Sequence, residues 1–542
     1  MNKPPFAITL EVGSSRANHT GSWRVERAVY VDRMPPCNDG CPAGENIQQW
    51  LYRAEPGDYE PAWRQIVEDN PFPAVMGRIC YHPCETACNR AQLDEAVGIN
   101  SIERFLGDLA IEHGWSLPPA GAPSGKRILV VGGGPSGLSA AYHLRRLGHG
   151  VLLVDSAPQL GGMMRYGIPA YRLPRASLDA EIDRIVALGV EIELDHTVTD
   201  IEHERTEGGF DAVFLAVGAQ LARRVGIPAG DSSRILDAFS LLHRVAEDDP
   251  PLLGRRVAIY GGGDTALDAA RTARRLGATD AVIVYRRNRE RMPAQGDELN
   301  EAIEEGITMR WLSTVNRFEG DQLILEKMRL NDEGFPEPTG ELEELDADSL
   351  VLALGQETDL SLLEGEPDIT ISDGVVEVSP AMMAGENGVF AGGDAVPSQR
   401  TATVAIGHGK RAARGIDAYL TGGTLTDPPR HELATFDLLN TWYYSEADRT
   451  HRPELERARR QSTFDEVVGG LTEENALFEA RRCMSCGNCF ECDNCFGVCP
   501  DNAVIKLGVG QRYEIDLDFC KGCGMCVKEC PCGAIEMVPE QI

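Results

Sequence analysis

The chain lacks cysteine over most of its length. It has 16 cysteines in 542 residues, but none precedes Cys37 and none lies between Cys88 and Cys483. Positive charge is scarce as well, because 52 Lys and Arg face 84 Asp and Glu, a net charge of −32. Nucleic acids and anionic membranes both attract basic surfaces, so this balance argues against either partner. It suits docking to a basic partner, although a solvated acidic exterior is the simpler explanation.

Long hydrophobic runs are also missing. No stretch of about 18 apolar residues occurs, so we expect no membrane span. The first 35 residues contain no apolar core of a signal peptide. The cysteines are clustered rather than scattered, which fits a reducing compartment. We therefore expect a cytoplasmic protein, and the length predicts about three to five domains.

The C-terminal cysteines follow a spacing that is specific for iron–sulfur ligation. Two runs of Cys-x2-Cys-x2-Cys-x3-Cys-Pro begin at Cys489 and Cys520. In two-cluster bacterial ferredoxins each run gives three ligands to one cluster and its fourth cysteine to the other cluster. Zinc sites do not use this spacing, and disulfide frameworks belong to small secreted domains. The predicted ligands of two [4Fe–4S] clusters are Cys489, Cys492, Cys495 and Cys530, and Cys499, Cys520, Cys523 and Cys526.

A glycine-rich loop between two hydrophobic strands opens the middle of the chain. Residues 127–155 read as strand, Gly132-x-Gly134-x-x-Gly137, helix, and a second strand that ends in Asp155. Such glycines let the backbone approach a pyrophosphate at the helix N-terminus, and the acid accepts a hydrogen bond from a ribose hydroxyl. Gly393-Asp394, after a late hydrophobic strand, is typical of the segment that closes an FAD site.

The same pattern recurs at residues 256–287, with Gly261-x-Gly263-x-x-Ala266 as the loop. Its second strand leads into Arg286-Arg287, with Arg291 nearby, where the first fold has an acid. Arginines bind a 2′-phosphate that an acid would repel, which favours NADP, with NAD as the alternative. The alternative is that these arginines lie on a solvated loop and bind no ligand. Two folds in tandem predict FAD in the first and the nicotinamide in the second.

Several further segments resemble the small (beta) subunit of NADPH-dependent glutamate synthase and its relatives. The relatives include the flavoprotein subunit of electron-bifurcating transhydrogenase, the N-terminal half of dihydropyrimidine dehydrogenase and the flavoprotein DsrL. The segments are Cys41-Pro42, Gly77-Arg78-Ile79-Cys80-x3-Cys84-x3-Cys88, Ser101-Ile102-Glu103-Arg104, Gly161-Gly162-x2-Arg165, Gly263-Asp264-Thr265-Ala266-x-Asp268, Tyr285-Arg286-Arg287 and Met292-Pro293-Ala294. The resemblance implies FAD and NADPH folds arranged as in glutathione reductase, with Gly162, Arg165, Asp264 and Thr265 at the cofactors. It also implies two [4Fe–4S] clusters in an N-terminal helical domain.

The resemblance assigns ligands to those N-terminal clusters. It makes Cys41, Cys80 and Cys84 ligands of one cluster, with Glu103 as the fourth; the alternative is that Glu103 pairs with Arg104 or solvent. The other cluster would use Cys37, Cys88 and a Cys-x2-Cys pair upstream of Cys37, which this chain lacks.

The missing pair has a counterpart near the other end of the chain. The segment around Cys483-x2-Cys486 is similar to the family's upstream segment. We therefore predict a fourth cluster on Cys37, Cys88, Cys483 and Cys486, shared by both ends. The alternative is three clusters, with Cys483 and Cys486 as spare thiols. Cys532 stays unassigned.

The predicted fold class is multidomain α/β. We expect a loose leader over 1–36, a helical iron–sulfur domain over 37–124, an FAD-binding Rossmann-like domain over 125–250 and 381–425, an NAD(P)H-binding Rossmann-like domain over 251–380, a linker arm over 426–480 and a ferredoxin-like α+β domain over 481–542. The arm contains Trp442, Tyr443 and Tyr444, which we expect to pack or to contact a subunit rather than to stack on a cofactor.

These features predict an electron-transfer flavoprotein subunit that moves electrons between NAD(P)H and a partner redox enzyme, through FAD and the clusters. The flavin would divide the electron pair, so no essential side-chain acid or base is expected. Residues 489–503 resemble ferredoxin subunits of 2-oxoacid:ferredoxin oxidoreductases, which suggests that partner, or a DsrL-like or glutamate-synthase-type one. The alternatives are a free-standing NAD(P)H:ferredoxin oxidoreductase and a non-catalytic redox-sensing or assembly protein. Homo- and hetero-oligomers both stay open.

Overall fold

The computed structural model describes residues 19–223, 225–229, 234–427 and 429–540. The first half of the predicted leader lies outside these described residues. Within them, no helix combines the length and the apolar character needed to cross a membrane.

The N-terminal domain is a cluster of short helices. Prolines begin three of them, because the fixed φ of proline suits the first helical turn. Gly77 lets two helices touch, since a Cβ there would lie 2.4 Å from the backbone nitrogen of Arg104. Trp50 and Trp63 are completely buried in the core. The helices span Pro36–Asp39, Ile47–Ala54, Tyr59–Val67, Pro73–Ile79, Pro83–Thr86 and Ile99–His113.

The first nucleotide fold is a six-stranded sheet. All its strands are parallel apart from an antiparallel edge hairpin. The four central strands are apolar and mostly buried, as expected for a parallel sheet covered by helices, while the edge strand Glu191–Glu193 is largely exposed. In spatial order they are Met383–Ala384, Val389–Ala391, Ala212–Leu215, Arg127–Val131, Gly150–Val154 and Glu191–Glu193. The helices of this fold are Pro135–Arg146, Met163–Tyr166, Arg175–Val186, Ile201–Gly208 and Ala402–Thr421.

The second nucleotide fold has five parallel strands and an antiparallel extension. In spatial order the strands are Thr308–Arg310, Asp280–Val284, Arg256–Gly261, Ser349–Ala353 and Ile235–Asp237. Its helices are Ala238–Ala246, Asp264–Arg275 and Gly296–Glu304, and the extension comprises Ser313–Glu319, Gln322–Leu330 and Pro336–Asp346. Ile235–Asp237 pairs with Leu350–Leu352, so the second fold begins before the predicted boundary at residue 250. That strand has three residues, too few to show a period in the sequence.

The C-terminal module contains the helices Asn494–Val498 and Met525–Lys528 and the hairpin Val504–Lys506 with Tyr513–Ile515. Its last strand, Ile535–Pro539, pairs antiparallel with Glu26–Tyr30. The structure therefore differs from the predicted loose leader, because residues 26–30 belong to a sheet with the ferredoxin-like module. Ala28 is the single buried residue of this strand, so the strand has no alternating hydrophobic pattern from which it could be predicted.

The arm over 426–480 ties the other parts together. It carries the helices Arg457–Arg460 and Glu473–Arg481. Arg452 Nη1 donates to the Gly77 carbonyl at 2.9 Å in the helical domain. Arg275 Nε, from the second nucleotide fold, donates to the Thr463 carbonyl of the arm at 3.1 Å. The arm thus contacts both the cysteine-rich N-terminal domain and the second nucleotide fold.

Candidate functional site: a cavity between two nucleotide folds and four cysteine groups

A cavity of about 450 Å³ runs between the two nucleotide folds. Eight of the predicted cofactor-binding residues line it. They are Gly132, Gly134, Asp155, Gly162, Gly393 and Asp394 from the first fold, and Asp264 and Thr265 from the second.

Local backbone geometry explains the first glycine loop. Gly132 has φ +104°, and a Cβ there would lie 2.4 Å from the Ala216 carbonyl oxygen. Asp155 braces the loop, because its Oδ2 accepts from the Gly133 nitrogen at 2.6 Å and its Oδ1 from the Ala157 nitrogen at 2.8 Å. Burial raises the pKa of this carboxyl, while those two backbone hydrogen bonds lower it. The predicted acid therefore shapes the loop and also faces the cavity.

Ser136 is a residue that sequence reasoning missed. It stands in the first turn of Pro135–Arg146 and lines the cavity, and its buried hydroxyl has no hydrogen-bond partner. An unpaired hydroxyl beside a helix N-terminus suits an anionic group. The site therefore fits the pyrophosphate of a dinucleotide. The signal was present in the sequence as the serine inside the glycine motif.

Two predicted residues of the first fold do not line the cavity. Gly137 packs on the loop itself, since a Cβ there would lie 1.9 Å from the Gly132 carbonyl oxygen. Arg165 donates from Nε to the Leu160 carbonyl at 2.5 Å and forms an ion pair with Asp179.

The second glycine loop is connected to the arginine segment that follows it. Asp264 Oδ1 accepts from the Gln295 nitrogen at 2.9 Å. Gly261 and Gly263 lie outside the cavity lining, as do Arg286, Arg287 and Arg291. Arg287 Nε is buried without a partner, which fits an anionic group at this place. Arg286 is exposed, and the Arg291 guanidinium packs against Gly334 of a neighbouring turn.

The N-terminal domain reaches into the same cavity. Ile79 and Tyr81, on either side of Cys80, both line it. Tyr81 Oη donates to Asp264 Oδ2 at 3.0 Å, so the cysteine segment contacts the second glycine loop directly. Burial, followed by the charge of Glu103, raises the pKa of the Cys80 thiol to about 12. Thr403, on the helix whose first residue also lines the cavity, donates from Oγ1 to Met76 Sδ at 3.5 Å.

Cys80 belongs to the first of four cysteine groups. Burial raises the pKa of the Cys41 thiol, and the charges of Glu45, Cys80 and Glu103 raise it further. Burial also raises the pKa of the Cys84 thiol, and the charges of Cys41 and Cys80 raise it further. Burial, followed by the charge of Glu45, raises the pKa of Glu103 well above its usual range. These acids cannot all ionise in this site without a compensating cation, which fits a metal cluster.

The second group contains residues from both ends of the chain. Cys37, Cys88, Cys483 and Cys486 surround one cavity of about 20 Å³. Burial raises the pKa of Cys37 well above its usual range, and the thiolates of Cys88, Cys483 and Cys486 add to the effect.

The remaining two groups lie in the C-terminal module. Cys499, Cys520, Cys523 and Cys526 surround a second cavity of about 20 Å³. The pKa values of Cys489, Cys492 and Cys495 are raised by burial and, less strongly, by one another and by Cys530. Cys492 and Cys523 are exposed, so each of these two groups reaches the surface.

Cys532 sits beside one of these groups, which sequence reasoning did not anticipate. Its Sγ lies 3.8 Å from Cys530 Sγ and is buried. Its carbonyl accepts from the Gly487 nitrogen at 2.6 Å, which joins this segment to the loop that holds Cys486. None of the sixteen cysteines is paired in a disulfide. Within the described ranges, no three His, Cys, Asp or Glu side chains close around a single metal ion.

Two nucleotide folds around one cavity, flanked by cysteine-rich modules, define an iron–sulfur flavoprotein oxidoreductase. Three family models match the chain, and all of them agree with this class of protein. Residues 126–409 match pyridine nucleotide-disulphide oxidoreductase, residues 22–115 match dihydropyrimidine dehydrogenase domain II, 4Fe-4S cluster, and residues 513–536 match a 4Fe-4S binding domain.

Curated relatives agree with these models. NADP(+)-dependent formate dehydrogenase subunit beta of Moorella thermoacetica is 35% identical, over 83% of this chain and 70% of its own length. NADPH-Fe(3+) oxidoreductase subunit beta of Geobacter sulfurreducens is 31% identical, over 84% and 76%. The glutamate synthase [NADPH] small chain of Azospirillum brasilense is 32% identical, over 71% and 86%.

The chain belongs to the pyridine nucleotide-disulphide oxidoreductase family, and within it to the glutamate synthase small-chain-like FAD/NAD(P)H iron–sulfur oxidoreductases. The predicted resemblance and fold class are confirmed. The segment that matches the disulphide oxidoreductase model contains no cysteine, so it forms no redox disulfide. Electrons must leave its flavin by another route.

Proposed function

We propose that this chain is the NADPH-handling electron-transfer subunit of a larger redox complex. Electrons pass from NADPH to FAD, through the N-terminal clusters to the C-terminal module, and from there to a catalytic partner. One observation carries this proposal: both neighbours of Cys80 line the flavin cavity, so the first cysteine group begins at the cavity wall.

When bound between these folds, FAD would supply hydride acceptance and one-electron release. The protein's residues bind and orient. The loop at Gly132 and Ser136 holds the FAD pyrophosphate, with Asp155 and Asp394 toward its sugar portions. Asp264 and Thr265 place the nicotinamide end, and Arg287, with Arg286 and Arg291 around it, holds the 2′-phosphate. Each NADPH delivers two electrons and releases NADP⁺ and one proton, and no side chain has to act as acid or base.

The proposed electron path uses four [4Fe–4S] clusters. Their proposed ligands are Cys41, Cys80, Cys84 and Glu103; Cys37, Cys88, Cys483 and Cys486; Cys489, Cys492, Cys495 and Cys530; and Cys499, Cys520, Cys523 and Cys526. Each set is supported by its grouping in the fold. In the first two sets burial also raises the pKa of every thiol, which fits a compensating cluster. Cys486 and Cys489 are three residues apart, so the shared cluster leads directly into the C-terminal module.

The partner is proposed from the relatives. Their names include a formate dehydrogenase beta subunit and a glutamate synthase small chain, which are parts of assemblies. Those names also contain NADP or NADPH, which supports NADPH over NADH here. We propose a catalytic redox subunit of this general type, including a 2-oxoacid:ferredoxin oxidoreductase.

The test is an anaerobic NADPH titration of the protein purified from its native source. We expect the flavin absorbance to bleach and the electron paramagnetic resonance (EPR) signals of reduced clusters to follow, with NADH slower. A stoichiometric catalytic chain that co-purifies would name the substrate. Flavin bleaching without reduction of the clusters would contradict the proposed electron path. Absence of flavin bleaching would favour the non-catalytic alternative.

The cluster count has its own test. The double variant Cys483→Ala, Cys486→Ala should lose about four irons per chain, one [4Fe–4S] cluster. Cys532→Ala is the matched control, because this cysteine belongs to no proposed set. If the double variant keeps the iron content of the control, the chain has three clusters.

A further inference from the structure

The aromatic turn at residues 441–443 points outward from the C-terminal module. Trp442 is 87% exposed, an unusual state for the largest aromatic side chain, which is highly buried on average. Tyr443, the residue after Trp442, and Leu438, four residues before Trp442, are also exposed. We call these three side chains the aromatic face. Tyr444, the residue after Tyr443, is only partly exposed and donates to the Met484 carbonyl at 2.9 Å.

The aromatic face is held rigidly against the cysteine segment 528–531. The Asn440 nitrogen donates to the Pro531 carbonyl at 3.1 Å, and Asn440 Nδ2 donates to the Lys528 carbonyl at 2.7 Å. Tyr443 Oη donates to Glu529. An exposed aromatic residue on a fixed backbone loses little entropy when a partner covers it, which is the property of interface hot spots.

The aromatic face adjoins an exposed cluster ligand. Tyr443 Oη donates to the Glu529 side chain, and the Glu529 carbonyl accepts from Asn494 Nδ2 at 3.3 Å. Asn494 lies in the loop between Cys492 and Cys495, so this loop adjoins the aromatic face. Cys492 is itself exposed. It lies in the group that follows the shared cysteine group directly along the chain. An electron therefore reaches the surface next to Tyr443.

The chain segment that carries the aromatic face is acidic, while one exposed cation, Lys528, lies beside it. No Lys or Arg occurs between Arg430 and Arg449, while Asp437, Glu446 and Asp448 all lie in that segment and are exposed. The other surface cluster group has mixed charge, with Lys521 inside its Cys-x2-Cys loop and Arg24 hydrogen-bonded to the Cys520 carbonyl. A basic partner is therefore attracted to the aromatic face rather than to the Cys523 side.

We propose that the aromatic face, with its acidic surroundings, is the docking site for a one-electron redox protein or subunit whose own surface is basic around its electron acceptor. The proposal rests on the proposed electron path and names where that path leaves the molecule. The partner covers Trp442 and takes electrons from the cluster group that includes Cys492.

The experiment uses the complete cofactor-loaded protein with two acceptors under anaerobic conditions. Cytochrome c is a basic one-electron protein probe, and ferricyanide is a small probe that needs no docking. One NADPH reduces two ferric haems and releases NADP⁺ and one proton. We expect Trp442→Ala to lower kcat/KM for cytochrome c at least about fivefold and to leave ferricyanide reduction unchanged. The wild-type rate with cytochrome c should fall as salt rises.

Trp23→Ala is the matched control. Trp23 is another exposed tryptophan, 68% accessible, next to the loop of Cys520 on the opposite surface cluster. Its variant should stay within about twofold of wild type. The docking proposal is overturned if Trp442→Ala also stays within that range, or if Trp23→Ala falls as far. Failure of NADPH to reduce any cluster in the wild type would instead overturn the proposed function, so the two failures are distinguishable.

Discussion

The contact between Cys532 and Cys530 adjusts one ligand of a proposed cluster. A thiol that donates to a ligand sulfur stabilises the more negative, reduced cluster.

The sequence could not show this contact, because Cys532 follows the ligand motif without belonging to it. By contrast, the spacing of the ligand cysteines was enough to predict which of them group together in the C-terminal module, since that motif fixes a local loop geometry.

We predict that Cys532→Ala lowers the reduction potential of one cluster and leaves iron content unchanged. A lost hydrogen bond of about 1 kcal/mol corresponds to roughly 40 mV for one electron. An EPR-monitored redox titration measures it, with Cys532→Ser expected closer to wild type because serine still donates. Equal potentials in all three proteins would contradict the role.

The buried side chain of His143 should make the folded protein less stable in mild acid. Burial lowers the pKa of His143 to about 3, and Lys410 and Arg146 contribute. In the unfolded chain the pKa is near 6.5, so as pH falls from about 6.5 toward 3 the unfolded state takes up a proton that the folded state refuses. The free energy of unfolding then falls by up to about 1.4 kcal/mol per pH unit.

His143→Gln should flatten this dependence between pH 7 and 5, measured by urea unfolding at each pH. His113→Gln is the control, because His113 is exposed at the end of a helix. Equal slopes in the His143 variant and wild type would rule out this source.

At the scale of elements, the pairing of Glu26–Tyr30 with Ile535–Pro539 was hidden from the sequence. The glycine loops with their flanking strands were predictable, because local hydrophobic runs and turns define them. A strand whose partner lies at the other end of the chain leaves no local signal, and neither does the three-residue strand Ile235–Asp237. Ser136 shows the same limit inside a motif, because its free hydroxyl appears only in the packed structure.

The N-terminal strand should be required by the C-terminal clusters. Ala28 is buried in the core that contains Cys495 and Cys530. Ala28→Asp places a carboxylate there at a cost of at least about 2 kcal/mol, and we expect iron to be lost from the C-terminal module. Val25→Asp is the control, because Val25 is 81% exposed. Full iron content in the Ala28 variant would contradict this role of the strand.

At the scale of the whole molecule, Arg482 fastens the C-terminal part of the chain to the N-terminal domain. Its guanidinium donates to the Glu95 carbonyl at 2.7 Å and the Ala96 carbonyl at 3.1 Å, and pairs with Glu479 at 3.1 Å. Glu479 is completely buried and also accepts from the Gly98 nitrogen at 2.8 Å.

Arg482→Ala leaves the Glu479 carboxylate buried without its cation, which costs about 3–5 kcal/mol. We expect a lower Tm and early loss of iron from the group that includes Cys483, while FAD stays bound. Arg481→Ala, at the exposed neighbouring position, should match wild type. Equal Tm values for both variants would contradict the fastening role.

The strand pairing between Glu26–Tyr30 and Ile535–Pro539 also sets an order of events during synthesis. Domains fold one after another as the ribosome releases them, so both nucleotide folds are complete before residue 535 exists. The first strand must wait unpaired through that time. A chain interrupted before that strand would hold its flavin and take hydride, yet have no finished outlet, which ties the onset of electron export to synthesis of Ile535–Pro539.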